Sequence, residues 1–148
     1  MLSTQYIQHA IDLCSETGGS VLIPKGKYAC GTLFLKDNVN LHVEAGAEIV
    51  GSHDIKYYSD TIPVMIEDPK FSTCLIYTRN VKNIPVTGMG IINERWYTKY
   101  FNHEKGDKRP MLMRLEKCTN VLIRYVILPI QHHGALYLSM LTVFELMG

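Results

Sequence analysis

Short apolar runs separated by short polar breaks fill the chain from Gly19 onward, and the breaks lack the residues of a tight reversal. In "VNLHV", Val39, Leu41 and Val43 fall on one side and Asn40 and His42 on the other, the period of a strand with one buried face. "SVLIPKGKY", "GTLFL", "AEIV", "CLIY", "MLMRL" and "NVLIRYVIL" predict further strands. The stretch ahead of them, "STQYIQHAIDLCSETGG", has a different rhythm. Ile7, Ala10, Ile11 and Cys14 recur at i, i+3, i+4 and i+7 and predict an amphipathic helix. Ser3 or Thr4 is expected to cap it, Gly18-Gly19 to end it, and Gln8, Asp12 and Glu16 to face away from the stripe. Two polar stretches, 52–72 and 93–110, interrupt the strands and read as long loops, of the kind that are functional or inserted.

Three segments repeat one form: Asn38-Val39-Asn40-Leu41, Asn83-Ile84-Pro85-Val86 and Asn120-Val121-Leu122-Ile123. Each follows a short strand across a polar turn and precedes another apolar run. With no Asn-Gly or Asp-Gly anywhere, hairpins are not signalled. A break that bends a strand without reversing it lets the chain coil, each turn pairing in parallel with the one below and like side chains stacking about 4.8 Å apart. An asparagine repeated at the bend can bond the turn backbone and stack as a ladder. The helix is then expected to cover the unpaired backbone and apolar stacks of the first turn. The competing arrangement is an α+β domain with the helix on an antiparallel sheet. Pro85 cannot donate a hydrogen bond and is expected to weaken its rung.

The 148 residues suit one domain: capping helix at 3–19, coil turns over 20–128 with loops 52–72 and 93–110, and an atypical tail at 129–148. Composition is ordinary, with 47% hydrophobic and 20% charged residues and a net charge of +1 that is well mixed. No basic face signals nucleic acid or an anionic membrane. Cys14, Cys30, Cys74 and Cys118 are far apart and form no CxxC, so neither zinc nor a dense disulfide scaffold is indicated. Buried free thiols are expected, one disulfide staying open. No apolar run approaches the roughly 18 residues of a membrane helix. The opening "MLSTQYIQ" shows no signal peptide. Localisation is not readable.

The stretch "TQYIQHAIDLCSETGGSVLIPKGKYACGTLFLKDNVNLHVEAGAEIVGS" resembles the amino-terminal region of the polygalacturonase family, glycoside hydrolase family 28. The likeness continues through "NVKNIPVTGMGIIN", the "RWY" of a Trp-rich loop, and "RPMLMRLEKCTNVLIRYVIL", covering about Thr4 to Leu128. It implies an all-β, right-handed parallel β-helix, a single-stranded solenoid with an N-terminal capping helix. It also implies a lineage of inverting hydrolases acting on pectin-type polysaccharide, with a polyuronide as partner, exported in most members, and no cofactor. Family members carry their aspartates on later turns, in Asn-Thr-Asp, Asp-Asp, Gly-His-Gly and Arg-Ile-Lys motifs. None of these occurs here, so the resemblance implies a β-helix truncated before the catalytic turns, with no catalytic residue assigned. His132-His133-Gly134 only shadows Gly-His-Gly, and after Leu128 "PIQHHGALYLSMLTVFELMG" follows no family pattern.

An inverting glycosidase needs two carboxyl groups about 6.5–9.5 Å apart. Asp37, Glu44, Glu48, Asp54, Asp60, Glu67, Asp68, Glu94, Glu104 and Asp107 lie mostly in bends and loops and read as solvated charge. The adjacent pair Glu67-Asp68 points to opposite sides of an extended chain. Trp96 and Tyr97, in the second loop, are the candidate carbohydrate contacts, set against packing on the side of the coil. Tyr57-Tyr58 pose the same choice. Arg109-Pro110 are expected to shape the return into the next turn, and His42 to lie on the surface. His132-His133 are not spaced as metal ligands, and no metal site is assigned. A β-helix lyase would need calcium, and no acidic cluster suggests one. Two functions remain: a portion of a polygalacturonase-like hydrolase, inactive alone, or a non-catalytic carbohydrate-binding or structural β-helix. Residues 136–147 fit both a helical stripe and alternation. They are expected to cover the open carboxyl end, or two chains to pair there.

Overall fold

The computed structural model describes residues 2–64, 72–95, 110–129, 136–139 and 144–147, the last two segments as backbone strands. Helix α1 (Thr4–Ser15) is followed by β1 (Gly19–Ile23), β2 (Gly26–Cys30), β3 (Leu33–Phe34), β4 (Val39–Val43), β5 (Ala47–Gly51) and β6 (Thr73–Arg79). Then come β7 (Lys82–Thr87), β8 (Ile91–Asn93), β9 (Pro110–Glu116), β10 (Thr119–Arg124), β11 (Leu136–Ser139) and β12 (Phe144–Met147). Consecutive strands do not pair. The sheets run β1-β4-β7-β10-β12, β2-β5-β8 and β3-β6-β9-β11, and each pairing is parallel. Three strands make one turn, and the turns stack as a parallel β-helix, as the alternation without hairpins predicts.

Inward residues pile into columns. Val21, Leu41, Val86 and Ile123 occupy one register position on four turns, and Leu33, Ile76 and Met113 another, all buried. The bends between faces use left-handed residues. Asn38, Asn83 and Asn120 sit at φ of 62°, 56° and 57°, a conformation that asparagine tolerates better than most. Their amides form the predicted ladder: Asn83 Nδ2 donates to Asn38 Oδ1 at 2.6 Å, and Asn120 Nδ2 to Asn83 Oδ1 at 2.8 Å. The rungs are 45 and 37 residues apart, because these turns carry the two inserts, whereas Ser20 and Asn40 on the first two turns are 20 apart.

Helix α1 covers the first turn, with Ile7 and Ile11 buried and Ala10 and Cys14 packed against the core. Three expectations are corrected here. The Ser3 side chain makes no cap hydrogen bond, and the Thr4 hydroxyl instead accepts from Gly31 N–H at 2.8 Å. Gln8 does not face away. Its amide donates to Phe34 O at 3.0 Å and accepts from Phe34 N–H at 2.8 Å, closing the free edge of β3. The helix stops at Ser15, short of the expected 19. The amides of Glu16, Thr17 and Gly18 turn back onto Leu13 and Cys14, and Gly18 at φ 76° ends it.

Pro85 costs what it should. β7 pairs with β10 from Lys82 to Thr87, but with β4 only at Leu41↔Val86 and His42↔Thr87. In the tail, alternation prevails over the helical stripe: β11 extends β9 and β12 extends β10 in parallel register. The four cysteines are free thiols, three of them buried. No helix among the described residues is long and apolar enough to cross a membrane.

Candidate functional site

The two inserts leave the coil close together. The first departs after β5, and the second after β8, the strand stacked on β5. At their root Gly51 is obligatory: a Cβ there would lie 2.5 Å from the Tyr58 hydroxyl and 2.7 Å from the Glu94 carbonyl oxygen. Tyr58 is buried and donates to Ser52 O at 2.8 Å, and burial pushes its hydroxyl far above the ordinary 10.0. Tyr57 is exposed, with the Lys56 ammonium 4.9 Å from its ring centre. The pair thus divides, Tyr58 packing and Tyr57 facing outward.

Glu94 overturns the solvated reading given to the loop carboxylates. It is 1% exposed and neither carboxyl oxygen has a hydrogen-bond partner. Burial raises its pKa above the ordinary 4.5, opposed only by its own nearby backbone amide. Among the described residues no second carboxylate contributes to the shift, so within them Glu94 is a buried acid without a coupled partner.

A second cluster lies on the outer face of sheet β3-β6-β9-β11. Phe34, Tyr77 and Arg114 hold one register position on three turns. The Phe34 and Tyr77 rings meet edge to face at 6.0 Å, and the Arg114 guanidinium lies 5.7 Å from the Tyr77 ring centre. Arg114 donates through Nε to Glu116 Oε1 at 2.7 Å, pairs with the same carboxylate through Nη2, and donates through Nη1 to Pro63 O at 2.6 Å. Tyr77 donates to Glu116 Oε2 at 3.1 Å. Burial and the Glu116 charge raise the Tyr77 hydroxyl to about 12. Ile62 packs with Cys74, Tyr77 and Met111 over this face. The first insert is therefore clamped by a buried ion pair and an aromatic stack, and the Glu116 charge is committed to arginine.

Sequence reading missed this cluster. Its signal was an Arg and a Glu two residues apart in an apolar strand, "MLMRLE", which puts opposite charges side by side on one face. Of the predicted residues, Trp96 and Tyr97 lie outside the described segments, as do Glu67, Asp68, Glu104, Asp107, Arg109 and His132-His133. Pro110 begins β9 and is buried. His42 lies on the outer face of β4, half-buried, 2.8 Å from the Thr87 hydroxyl. Among the described residues no three His, Cys, Asp or Glu side chains gather as metal ligands.

Comparison with known proteins agrees with the coil. The chain is 30% identical over 101 residues to an exo-poly-α-D-galacturonosidase of Dickeya chrysanthemi, a match covering 62% of this chain and 17% of that protein. Over the matched residues the chain is similar to a member of the polygalacturonase family. Solved structures share the parallel β-helix architecture. A protein described as a glycosyl hydrolase from Parabacteroides merdae superposes with a TM-score of 0.82 at 27% identity, over 99% of this chain and 66% of that one. The family 28 exopolygalacturonase of Yersinia enterocolitica matches at TM-score 0.66 and 22% identity, over 86% of this chain and 32% of that one. A hyperthermoactive exopolygalacturonase of Thermotoga maritima matches at 0.66 and 20%, over 86% and 38%. The last two establish the fold alone. The chain spans less than two thirds of the length of each of these relatives. No family model matches it.

Proposed function

We propose that this chain is a portion of a polygalacturonase-like hydrolase of pectin-type polysaccharide, and that alone it supplies scaffold and substrate surface without turnover. The observation that carries the reading is the 30% match to an exo-poly-α-D-galacturonosidase. Its chemistry supports the second half. None of the family's four catalytic motifs occurs in the sequence. Among the described residues two carboxylates are well buried, of which Glu94 has no coupled carboxylate and Glu116 is paired with Arg114. An inverting pair, one acid and one base flanking a water, is not available from these two. Trp96 and Tyr97, carried by the second insert, stack on a sugar ring in this reading, and the partner is a polyuronide.

A non-catalytic, carbohydrate-binding β-helix is the second reading, favoured by the same isolation of Glu94. The test is paired: retardation in gels containing polygalacturonate, and reducing-sugar release from it. Retardation lost in Trp96→Ala, with no sugar released, is expected. Hydrolysis by the 148 residues overturns the claim of missing catalytic groups. Absence of both retardation and hydrolysis overturns the polysaccharide reading.

A further inference from the structure

The outer face of sheet β1-β4-β7-β10-β12 ends in a groove that the function above does not use. His42, Thr87 and Arg124 hold one register position on three successive turns. Just beyond them the chain bends toward the next face through Glu44, Met89 and Tyr125. Together these residues line an open groove of about 570 Å³.

Three features make this more than a crease between rungs. Tyr125 is 55% exposed and Met89 67%, so an aromatic ring and a thioether stand side by side in water on neighbouring bends. Tyr125 holds φ at 65°, where a bulky side chain is an outlier; strain of that kind concentrates at functional surfaces. The polar floor is also ordered. Thr87 has one hydroxyl hydrogen and gives it to Asn40 Oδ1 at 2.9 Å, and Asn40 Nδ2 donates in turn to Ser20 Oγ at 3.2 Å. The Thr87 oxygen, 2.8 Å from His42 Nδ1, must therefore accept from it. In the neutral imidazole, Nδ1 as donor leaves Nε2 as the acceptor.

We propose that this groove is a second saccharide-binding site, on a different face of the coil from the inserts. A pyranose ring has an apolar C–H face and a rim of hydroxyls that donate and accept. The groove matches both halves. Tyr125 and Met89 take the C–H face, and His42 Nε2 and Glu44 accept from hydroxyls. Being open at the surface, it suits a chain passing across it rather than an enclosed small molecule. The site anchors polysaccharide and performs no chemistry on it.

Calorimetric titration of the 148-residue chain with tetragalacturonate tests this in a Trp96→Ala background, which isolates the groove from the insert. Tyr125→Asn removes the ring but keeps a residue that tolerates positive φ, and Met89→Gln removes the neighbouring apolar surface. Each is expected to weaken binding about fivefold or more, with Tyr6→Ser, an exposed tyrosine on the helix, leaving it unchanged. Where Tyr125→Asn lowers the melting temperature, Met89→Gln decides alone. Binding by the parent chain that vanishes in Trp96→Ala overturns the groove and leaves the polysaccharide reading standing. Residual affinity unchanged by both groove variants also overturns it.

Discussion

Gln8 is the side chain on which the sealing of the first turn depends, and its loss has a calculable effect. Its amide group is fully used: Nε2 donates to Phe34 O and to Asp12 Oδ1, and Oε1 accepts from Phe34 N–H. Gln8→Met keeps length and helix propensity while removing all three bonds. The exposed bond to Asp12 contributes little. The two to Phe34 are partly buried, and each leaves a backbone group of β3 without a partner on an edge no strand covers. A net hydrogen bond is worth about 1 kcal/mol, and an unmade one at a buried group about 1–3 kcal/mol. The expected loss is therefore about 2–3 kcal/mol, a drop of roughly 4–10 °C in melting temperature for a chain of this size. Urea unfolding followed by circular dichroism reads the first quantity, and native-state hydrogen exchange at Phe34 checks its origin. Asp12→Asn, which touches only the exposed bond and the exposed ion pair with Lys36, is expected to stay within about 0.5 kcal/mol of the parent. A Gln8→Met chain as stable as the parent, with Phe34 equally protected, would refute the sealing role.

Other consequences are as concrete. Asn83→Ala removes the middle of the amide ladder and puts a Cβ residue with no local hydrogen bond at φ 56°; a loss of about 1–2 kcal/mol is expected, with Asn83→Gly losing less because it tolerates the angle. Arg114→Met alone leaves the buried Glu116 carboxylate with only Tyr77 and a distant, half-exposed Arg79 and is expected to cost about 3 kcal/mol, whereas Arg114→Met with Glu116→Leu recovers most of it; equal losses in the single and double variants would contradict the buried pair. Burial raises Glu94 above 4.5, so the folded chain keeps a proton that the unfolded chain releases. Stability is then fullest below pH 4.5 and falls as pH rises through and beyond it, and Glu94→Gln flattens that fall; parallel urea midpoints for the two chains from acid to neutral pH would sink the assignment.

The repeat of Asn38, Asn83 and Asn120 made the coil legible, because one residue type at a bend serves twice: it tolerates the left-handed angle and its amide bonds the amide above. The helix stripe was equally readable, since Ile7 and Ile11 obey a period set by local geometry. What escaped was what the third dimension adds. Gln8 looks solvent-facing on a helical wheel, yet the free edge of β3 lies within its reach. Glu94 looks like loop charge, but it is buried where its backbone carbonyl lies against Gly51. The tail fitted two periods at once, and only the unpaired edges of β9 and β10 favour strands. Arg114 and Glu116 were visible as charges in an apolar strand, although the insert that buries them is distant in sequence.

Methyl-resolved nuclear Overhauser spectroscopy on the 148-residue chain bears most directly on the winding from which the rest follows. Val21, Leu41, Val86 and Ile123 should contact one another in that order, as should Leu33, Ile76 and Met113, with α-proton to amide-proton contacts between strands three apart. Close α-proton pairs between consecutive strands, such as β4 with β5, would mean antiparallel hairpins and would contradict the account.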